Sequence, residues 1–473
     1  MQLDVAIVLA AGAGTRMKSD TPKVMHQIAG RTIIGHVLNE VNSLSPKDLR
    51  IVVGHGREVV EPHVKEIAHS AKTVFQAEQN GTGHAVQLAL ADLSTTGTVL
   101  ILAGDTPLLR KETLAEFFEA HSKNKNHASV LTAELPDPSG YGRIVRNEDG
   151  EIVAIVEERD ATEELKGINE INTGVYLFDI ATLKESVKKL KNNNSLGELY
   201  LTDVIAEIKN GGGKTAAILS LDYTETLGIN DRTQLAESTA IMRDRINDGH
   251  MRAGVTITDP TTTWIDVTVK IENDVTIHPG SWLIGKTSIA KNSVIGPRST
   301  LKDVVVKESA HIFESNVSES EIGCCANVGP YSFIRPGTKV ADNAKVGAYV
   351  EVKNSKIGEG SKVPHLSYVG DAEIGSGTNI GAATIFVNYD GVEKHETKIG
   401  NDVRIGSDTM LVAPVTVGDG AYTAAGSVIT DDIPAGAIGV ARSKQRNILG
   451  WVLRKRPGTK SAESAKKAGA TEN

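Results

Sequence analysis

The stretch IENDVTIHPGSWLIGKTSIAKNSVIGPRSTL, Ile271 to Leu301, carries a period that belongs to neither a helix nor an ordinary strand. Ile271, Ile277, Leu283, Ile289, Ile295 and Leu301 stand six residues apart. The spacing returns at Ile322, Val328, Ile334, Val340, Val346 and Val352, and again at Ile399, Ile405, Leu411 and Val417, running on through Thr423 to Ile429. An α-helix repeats every 3.6 residues and a half-exposed strand every two, so these runs require another architecture. A hexapeptide repeat predicts a parallel β-helix, in which each hexad makes one flat side of a coil and turns its aliphatic residue into the stack. Glycine follows many of these aliphatics, as in IGPRST, VGAYVE and IGNDVR. One coil buries little, so such a solenoid needs many coils and favours association of its faces.

Before residue 230 the pattern differs. DVAIVLAA, Asp4–Ala11, is a continuous apolar run suited to a strand buried on both faces. Further strands around Ile51, Leu100, Val130 and Val175, with helical segments such as HAVQLALADL between them, predict a doubly wound, Rossmann-like α/β sheet with its ligands beyond the carboxyl ends of the strands. The first strand runs into LAAGAGTRMKSDTPKVMH, Leu9–His26. Its spacing fits neither a P-loop, whose lysine position is taken by Gly14, Thr15 and Arg16, nor a dinucleotide fingerprint, whose third glycine position is Met17. Gly12 and Gly14 still let backbone N–H groups approach an anion, with Arg16 and Lys23 bringing cations to the same edge. On the glycines alone, a plain βα turn with solvated basic residues explains the stretch equally well. Asp105 ends the strand-like TVLILAG at that edge, as a phosphate-bridging Mg²⁺ requires, or as a turn residue before Pro107.

From Asn230 to Gly254 a polar helix with a narrow stripe of Leu235, Met242 and Ile246 is expected as an arm joining two domains. The expected division is therefore 1–229, an arm 230–254, a β-helix over 255–440 and a tail 441–473, disordered from Pro457 where apolar residues thin out. A net charge of −8 argues against a general nucleic-acid binder. Cys324 and Cys325 are adjacent, which excludes a disulfide framework and suits a reducing compartment. No cationic leader and no apolar run of membrane-spanning length is present, so a soluble cytoplasmic protein is expected.

Taken in order, LAAGAGTRM, PKVMH, QAEQNGTGHA, AGDTPL, GYGRI, VEERDAT, EINTGVY, GIND, RPGTKV, VEVKNS, PHLSYVGDAEIG, NIGAAT, VNYDG and GSDTMLVAPVTVG resemble a known family over nearly the whole chain. It is that of the bifunctional N-acetylglucosamine-1-phosphate uridylyltransferase/glucosamine-1-phosphate N-acetyltransferases of bacterial cell-wall precursor synthesis. The resemblance implies a nucleotidyltransferase domain followed by a left-handed β-helix that assembles as a homotrimer. It implies that Leu9, Ala10, Ala11, Gly12, Gln76, Gly81, Thr82, Ala103 and Gly104 hold UTP. Asp105 and Asn230 match the Mg²⁺ ligands, and Gly142, Glu157, Asn172 and Asn230 match the sugar contacts. A sugar phosphate is already ionised, so attack on the α-phosphorus needs charge neutralisation rather than a base, and Arg16 and Lys23 suit that need.

The second activity requires a base, because an amino sugar is largely ammonium at neutral pH. His365, where the six-residue register slips, matches the general base, with Glu351 as the candidate to orient it. Arg335 and Lys353 match the sugar-phosphate anchors, and Tyr368, Asn379 and Asn388 the remaining amino-sugar contacts. Ala382, Asn388, Tyr389, Ser407, Ala425 and Arg442 match acetyl-CoA positions, and Trp451 is expected either to stack on the adenine beside Arg454 or Lys455 or to pack on the end of the coil. IGAAT and FVNYDG depart from the family's usual IGAGT and CNYDG, Ala383 adding a methyl group on the acetyl-CoA path. Two rivals stand beside this reading: a monofunctional sugar-1-phosphate nucleotidyltransferase whose β-helix is a regulatory or assembly platform, as in ADP-glucose pyrophosphorylases, and a non-catalytic subunit sharing both folds.

Overall fold

The computed structural model describes residues 3–94 and 96–472. The chain forms two compact units, Met1–Lys270 with Trp282–Lys286, and Ile271–Ser281 with Thr287–Asn473.

The sheet of the first unit contains β1 (Val5–Ala10), β2 (Asp48–Val53), β3 (Lys72–Phe75), β4 (Thr98–Ala103), β5 (Ala128–Glu134), β6 (Glu170–Asp179) and β7 (Thr215–Leu219) in the order β7-β5-β6-β4-β1-β2-β3. Side chains of β1 alternate between two cores: Val5 and Ile7 join Val86, Ile101 and Phe178 on one face, while Ala6 and Val8 join Ile34, Leu38 and Phe117 on the other. The strands expected around Ile51, Leu100, Val130 and Val175 are all present. Within this doubly wound sheet β6 runs antiparallel to β4 and to β5, so the sheet is mixed. The connection from β5 to β6 carries a hairpin, Arg143–Arg146 with Ile152–Val156, and not the long crossover helix that a parallel return requires.

The helix Arg232–Arg252 is present, capped by the Asp231 carboxylate accepting from Gln234 N at 2.9 Å. Its apolar stripe packs on the first unit. Met242 is buried with Met17, Ile28, Ile33, Leu108 and Ile229, and Leu235 and Ile246 lie along the same cluster. The fully buried Asn247 donates to the Pro260 and Thr263 carbonyls at 2.9 and 3.0 Å, which ties the following chain to the helix within the first unit.

In the second unit short strands follow one another through three parallel sheets, each strand pairing with one a full coil away, as Ile277 with Ile295 and Ile295 with Ile312. The hexad aliphatics point inward: Ile277, Ile295, Val328, Ile334, Val346, Val352, Leu411 and Val417 are fully buried. Buried hydroxyls close the corners, Thr378 Oγ1 donating to Gly400 O at 2.8 Å and Ser361 Oγ to Gly375 O at 2.5 Å. Satisfying such carbonyls lets a solenoid turn without stranding polar groups inside.

The tail departs from expectation. Helices run over Trp451–Lys455 and Lys460–Lys467, the second capped by Thr459 Oγ1 accepting from Ala462 N at 3.3 Å. Leu453 and Ala462 are both buried. Low apolar content suggested disorder, but SAESAKK is rich in helix formers and follows a capping threonine.

Candidate active sites

At the carboxyl ends of β1 and β4 lies a cavity of about 300 Å³ lined by Leu9, Ala10, Ala11, Gly12, Lys23, Gln76, Gly81, Thr82, Ala103 and Asp105, with Val24, Gln79, Ala85 and Glu198. Ten residues singled out in the sequence thus share one wall. The backbone of Gly104 donates to Leu9 O at 2.8 Å, which sets the two strand ends side by side. Gln76 Nε2 donates to Gly81 O at 3.1 Å, and Thr82 Oγ1 accepts from Leu201 N at 3.0 Å. Gln79, unnoticed in the sequence although it sits inside QAEQNGTGHA, donates to Ala11 O at 2.9 Å and braces the glycine loop. Gly14 has φ +59°, and a β-carbon there would come within 2.7 Å of Lys23 Cβ, so the Lys23 stem rests on the loop itself. Arg16 is exposed on the turn Thr15–Met17 and does not line the cavity.

Lys23 Nζ pairs with Asp105 Oδ2 and also donates to Asn230 Oδ1 at 3.1 Å. Asn230 N donates to Gln234 Oε1 at 2.7 Å, and Ile229 N to Asp105 O at 2.9 Å. Residues 125 positions apart in sequence are thereby held at one point. Two neutral or anionic oxygens already converging on a positive charge fit a hard divalent cation that takes its other ligands from phosphates and water. A β-carbon built on Gly142 would lie 3.5 Å from both Asn172 Cβ and Glu157 Oε2, and Gly142 O accepts from Asn172 N at 2.8 Å, so three of the four sugar candidates meet. Burial pushes the Glu157 carboxyl above its ordinary value, although Thr202 Oγ1 donates to it at 3.1 Å. Behind them the buried Arg143 forms an ion pair with Glu158 at 2.8 Å, one residue from each of Gly142 and Glu157.

In the second unit His365 is exposed at the end of the strand Lys362–His365. Its carbonyl accepts from Ala383 N at 3.3 Å; further along the same corner Ala382 O accepts from Asp408 N at 2.7 Å and Ser407 O from Gly426 N at 2.9 Å. Ala382, Ser407 and Ala425 therefore form a column headed by His365. Ala383 has φ +57°, the left-handed conformation for which glycine is the easier residue, which locates the departure in IGAAT at that column. Asn379 lies on the strand paired next to that of His365.

Glu351 takes a different partner from the one expected. Its carboxylate accepts from Arg335 Nη1 at 2.7 Å, and no ion pair joins it to His365. The reason is register: the strand of Glu351 stacks between those of Phe333 and Tyr368, whereas His365 pairs with Ala348 on another sheet. Beside this pair sit Tyr368, Lys353, Asp371 and Asn388, whose Nδ2 donates to Asp371 Oδ2 at 2.5 Å. Lys353 lies close enough to Lys394 to push the latter's ammonium below its ordinary value. Two adjacent cations are a ready seat for a dianion. Lys394 and Asp371 were not foreseen; Lys394 lies in the segment that interrupts the hexads. Tyr389 is exposed and its hydroxyl donates to Gly391 O at 2.7 Å. Arg442 and Trp451 lie beyond the last strand; Trp451 is 45% exposed, with the Arg456 guanidinium 5.2 Å from its ring centre.

Residues 6–165 match the MobA-like NTP transferase domain, and residues 396–431 match the bacterial transferase hexapeptide family. A protein of Streptomyces avermitilis named bifunctional protein GlmU is 53% identical over 465 residues, covering 98% of this chain and 96% of its own. Proteins of that name from Corynebacterium diphtheriae and Mycolicibacterium gilvum are 52% and 50% identical, over 98% and 97% of this chain and 97% and 93% of theirs. With the transferase sheet in the first unit, the hexapeptide coil in the second and this likeness covering both, the chain belongs to the bifunctional GlmU family.

Proposed function

We propose that the cavity of the first unit is the uridylyl-transfer site and the cluster around His365 the acetyl-transfer site of one bifunctional enzyme of UDP-N-acetylglucosamine synthesis. Glucosamine-1-phosphate is acetylated from acetyl-CoA, and UMP then passes from UTP to N-acetylglucosamine-1-phosphate with release of pyrophosphate. The observation that carries the first assignment is that the glycine loop, Lys23 and Asp105 line one cavity, with Asn230 joined to them through Lys23 Nζ.

In uridylyl transfer the sugar phosphate attacks already ionised, so the residues position and neutralise. Backbone N–H groups of the Leu9–Gly12 loop face the nucleotide phosphates, Lys23 supplies charge, and Gly142, Glu157 and Asn172 hold the sugar. Asp105 and Asn230 would hold Mg²⁺, which when bound adds charge neutralisation at the phosphates. Arg16, exposed on the turn that follows the glycine loop, is the second cation offered to the phosphates. In acetyl transfer the ammonium of the amino sugar must lose a proton before nitrogen attacks the thioester, and His365 accepts it. Lys353 and Arg335 anchor the sugar phosphate, Tyr368, Asn379 and Asn388 orient the ring, and the column of Ala382, Ser407 and Ala425 receives acetyl-CoA with Tyr389, Arg442 and Trp451. Glu351 acts through Arg335, fixing that guanidinium toward the phosphate.

An exposed row of Phe313, Tyr331, Tyr349 and Leu366 along the coil supports association into a homotrimer. Dependence on UTP and acetyl-CoA supports a cytoplasmic place. The platform reading of the β-helix leaves the Lys353–Lys394–Asp371 cluster without a use and is not favoured. The test is a pair of assays on the purified chain, thiol release from acetyl-CoA and pyrophosphate release from UTP. Lys23→Ala should lose the second and keep the first; loss of both in a folded protein would refute the division.

A further inference from the structure

The two acceptors of Lys23 are fixed from behind, Asp105 through its carbonyl bond to Ile229 N and Asn230 through its backbone bond to Gln234. Lys23 is the movable member, an ammonium on a four-carbon stem that starts from the short turn Lys23–Met25 and lies against Gly14 of the phosphate loop. Its side chain is 13% exposed and that of Asp105 20%, so the pair is sheltered from water. We propose that Lys23 is the thermodynamic link between the divalent cation and the nucleotide: it occupies the cation's two protein oxygens until phosphate draws it away. The inference rests on the reading of Asp105 and Asn230 as the cation's ligands.

The argument is one of competing charges. Ammonium and a divalent cation cannot share the same two oxygens, because like charges at contact distance in a sheltered site repel strongly. A cation alone must therefore evict Lys23 and leave a poorly hydrated ammonium with no acceptor, which is costly. Nucleotide phosphates on the Leu9–Gly12 loop give Lys23 a new partner without moving its stem off Gly14. Each ligand then raises the affinity of the other, by the same factor in both directions.

Manganese serves as the probe, its free concentration followed by electron paramagnetic resonance in titrations of the full chain without nucleotide. Lys23→Met keeps the stem and removes the charge; it should bind Mn²⁺ roughly tenfold or more tightly than the parent, the scale of one hydrogen bond to a charged group. Lys23→Arg, which keeps the charge, should stay near the parent affinity. Arg16→Met removes an equal charge from outside the cavity and should change Mn²⁺ affinity little. If Lys23→Met binds Mn²⁺ no better than the parent, or if Arg16→Met gains as much, the link is wrong. Adding Asp105→Asn to Lys23→Met separates the two levels: Mn²⁺ binding that survives it overturns the ligand reading itself, whereas Asp105-dependent binding without the Lys23 effect overturns only the link.

Discussion

The two units face one task, holding a sugar phosphate beside a second anion, with opposite uses of burial. In the first, strand ends and loops enclose a cavity, and its key cation is sheltered and already paired. In the second the coil fills its interior with aliphatic side chains, and His365 is exposed on its wall while Lys353 and Lys394 stand side by side. A sheet edge can wrap a ligand with its own loops. A solenoid wall has no such loops unless its repeat is interrupted, and a neighbouring copy is the other source of enclosure.

If that contrast is right, each unit fails alone. Asp105→Asn should lower pyrophosphate release by roughly a thousandfold or more, since it removes several kcal/mol of charge stabilisation, and leave thiol release unchanged. Equal loss of both would mean that the units are coupled. His365→Ala should cost thiol release about 10²–10⁴-fold and leave pyrophosphate release alone. Raising the pH should restore part of the loss, because more amino sugar is then uncharged; a flat pH profile would deny His365 the role of base. Trp451→Ala should raise the KM for acetyl-CoA about tenfold if the indole stacks on adenine, with UTP kinetics untouched.

The smallest effect concerns enclosure itself. Burial raises the Glu157 carboxyl's pKa in the fold, so at neutral pH its ionised form opposes folding, and stability grows as pH falls through that raised value. Glu157→Gln should therefore raise the protein's Tm near pH 8, because it removes the buried charge, and raise the KM for N-acetylglucosamine-1-phosphate. The Tm gain should shrink on acidification. A gain independent of pH would place its origin outside the carboxyl's charge.

Local rules carried much of this structure. The six-residue period states its geometry outright, and Val5–Ala10 could only be a covered strand. The direction of β6 was hidden because it follows from what the connection before it lacks, a crossover helix, rather than from the strand's own residues. The partner of Glu351 was hidden for a related reason: on a coil, partners are set by rung and sheet, so Glu351 meets Arg335 sixteen residues earlier. Asp105 and Asn230 come together through tertiary structure alone, and only the resemblance joined them in advance. In the tail, composition points to disorder, whereas the capping Thr459 and the helix formers after it decide for a helix.

The break in the hexads has a consequence for engineering. Tyr368 pairs with Ile385 at the usual interval of 17 residues, whereas Ile385 pairs with Met410 after 25, yet both ladders are in register. The extra residues are cinched at their base, His395 N donating to Asn388 O at 2.9 Å, and braced inside by Asp390, which accepts from Val392 N and Glu393 N at 2.7 Å each. The insertion is a cassette: the shelves above and below do not register its length. Other peptides knotted at the same two points could be exchanged there, turning the coil into a mount for new chemistry.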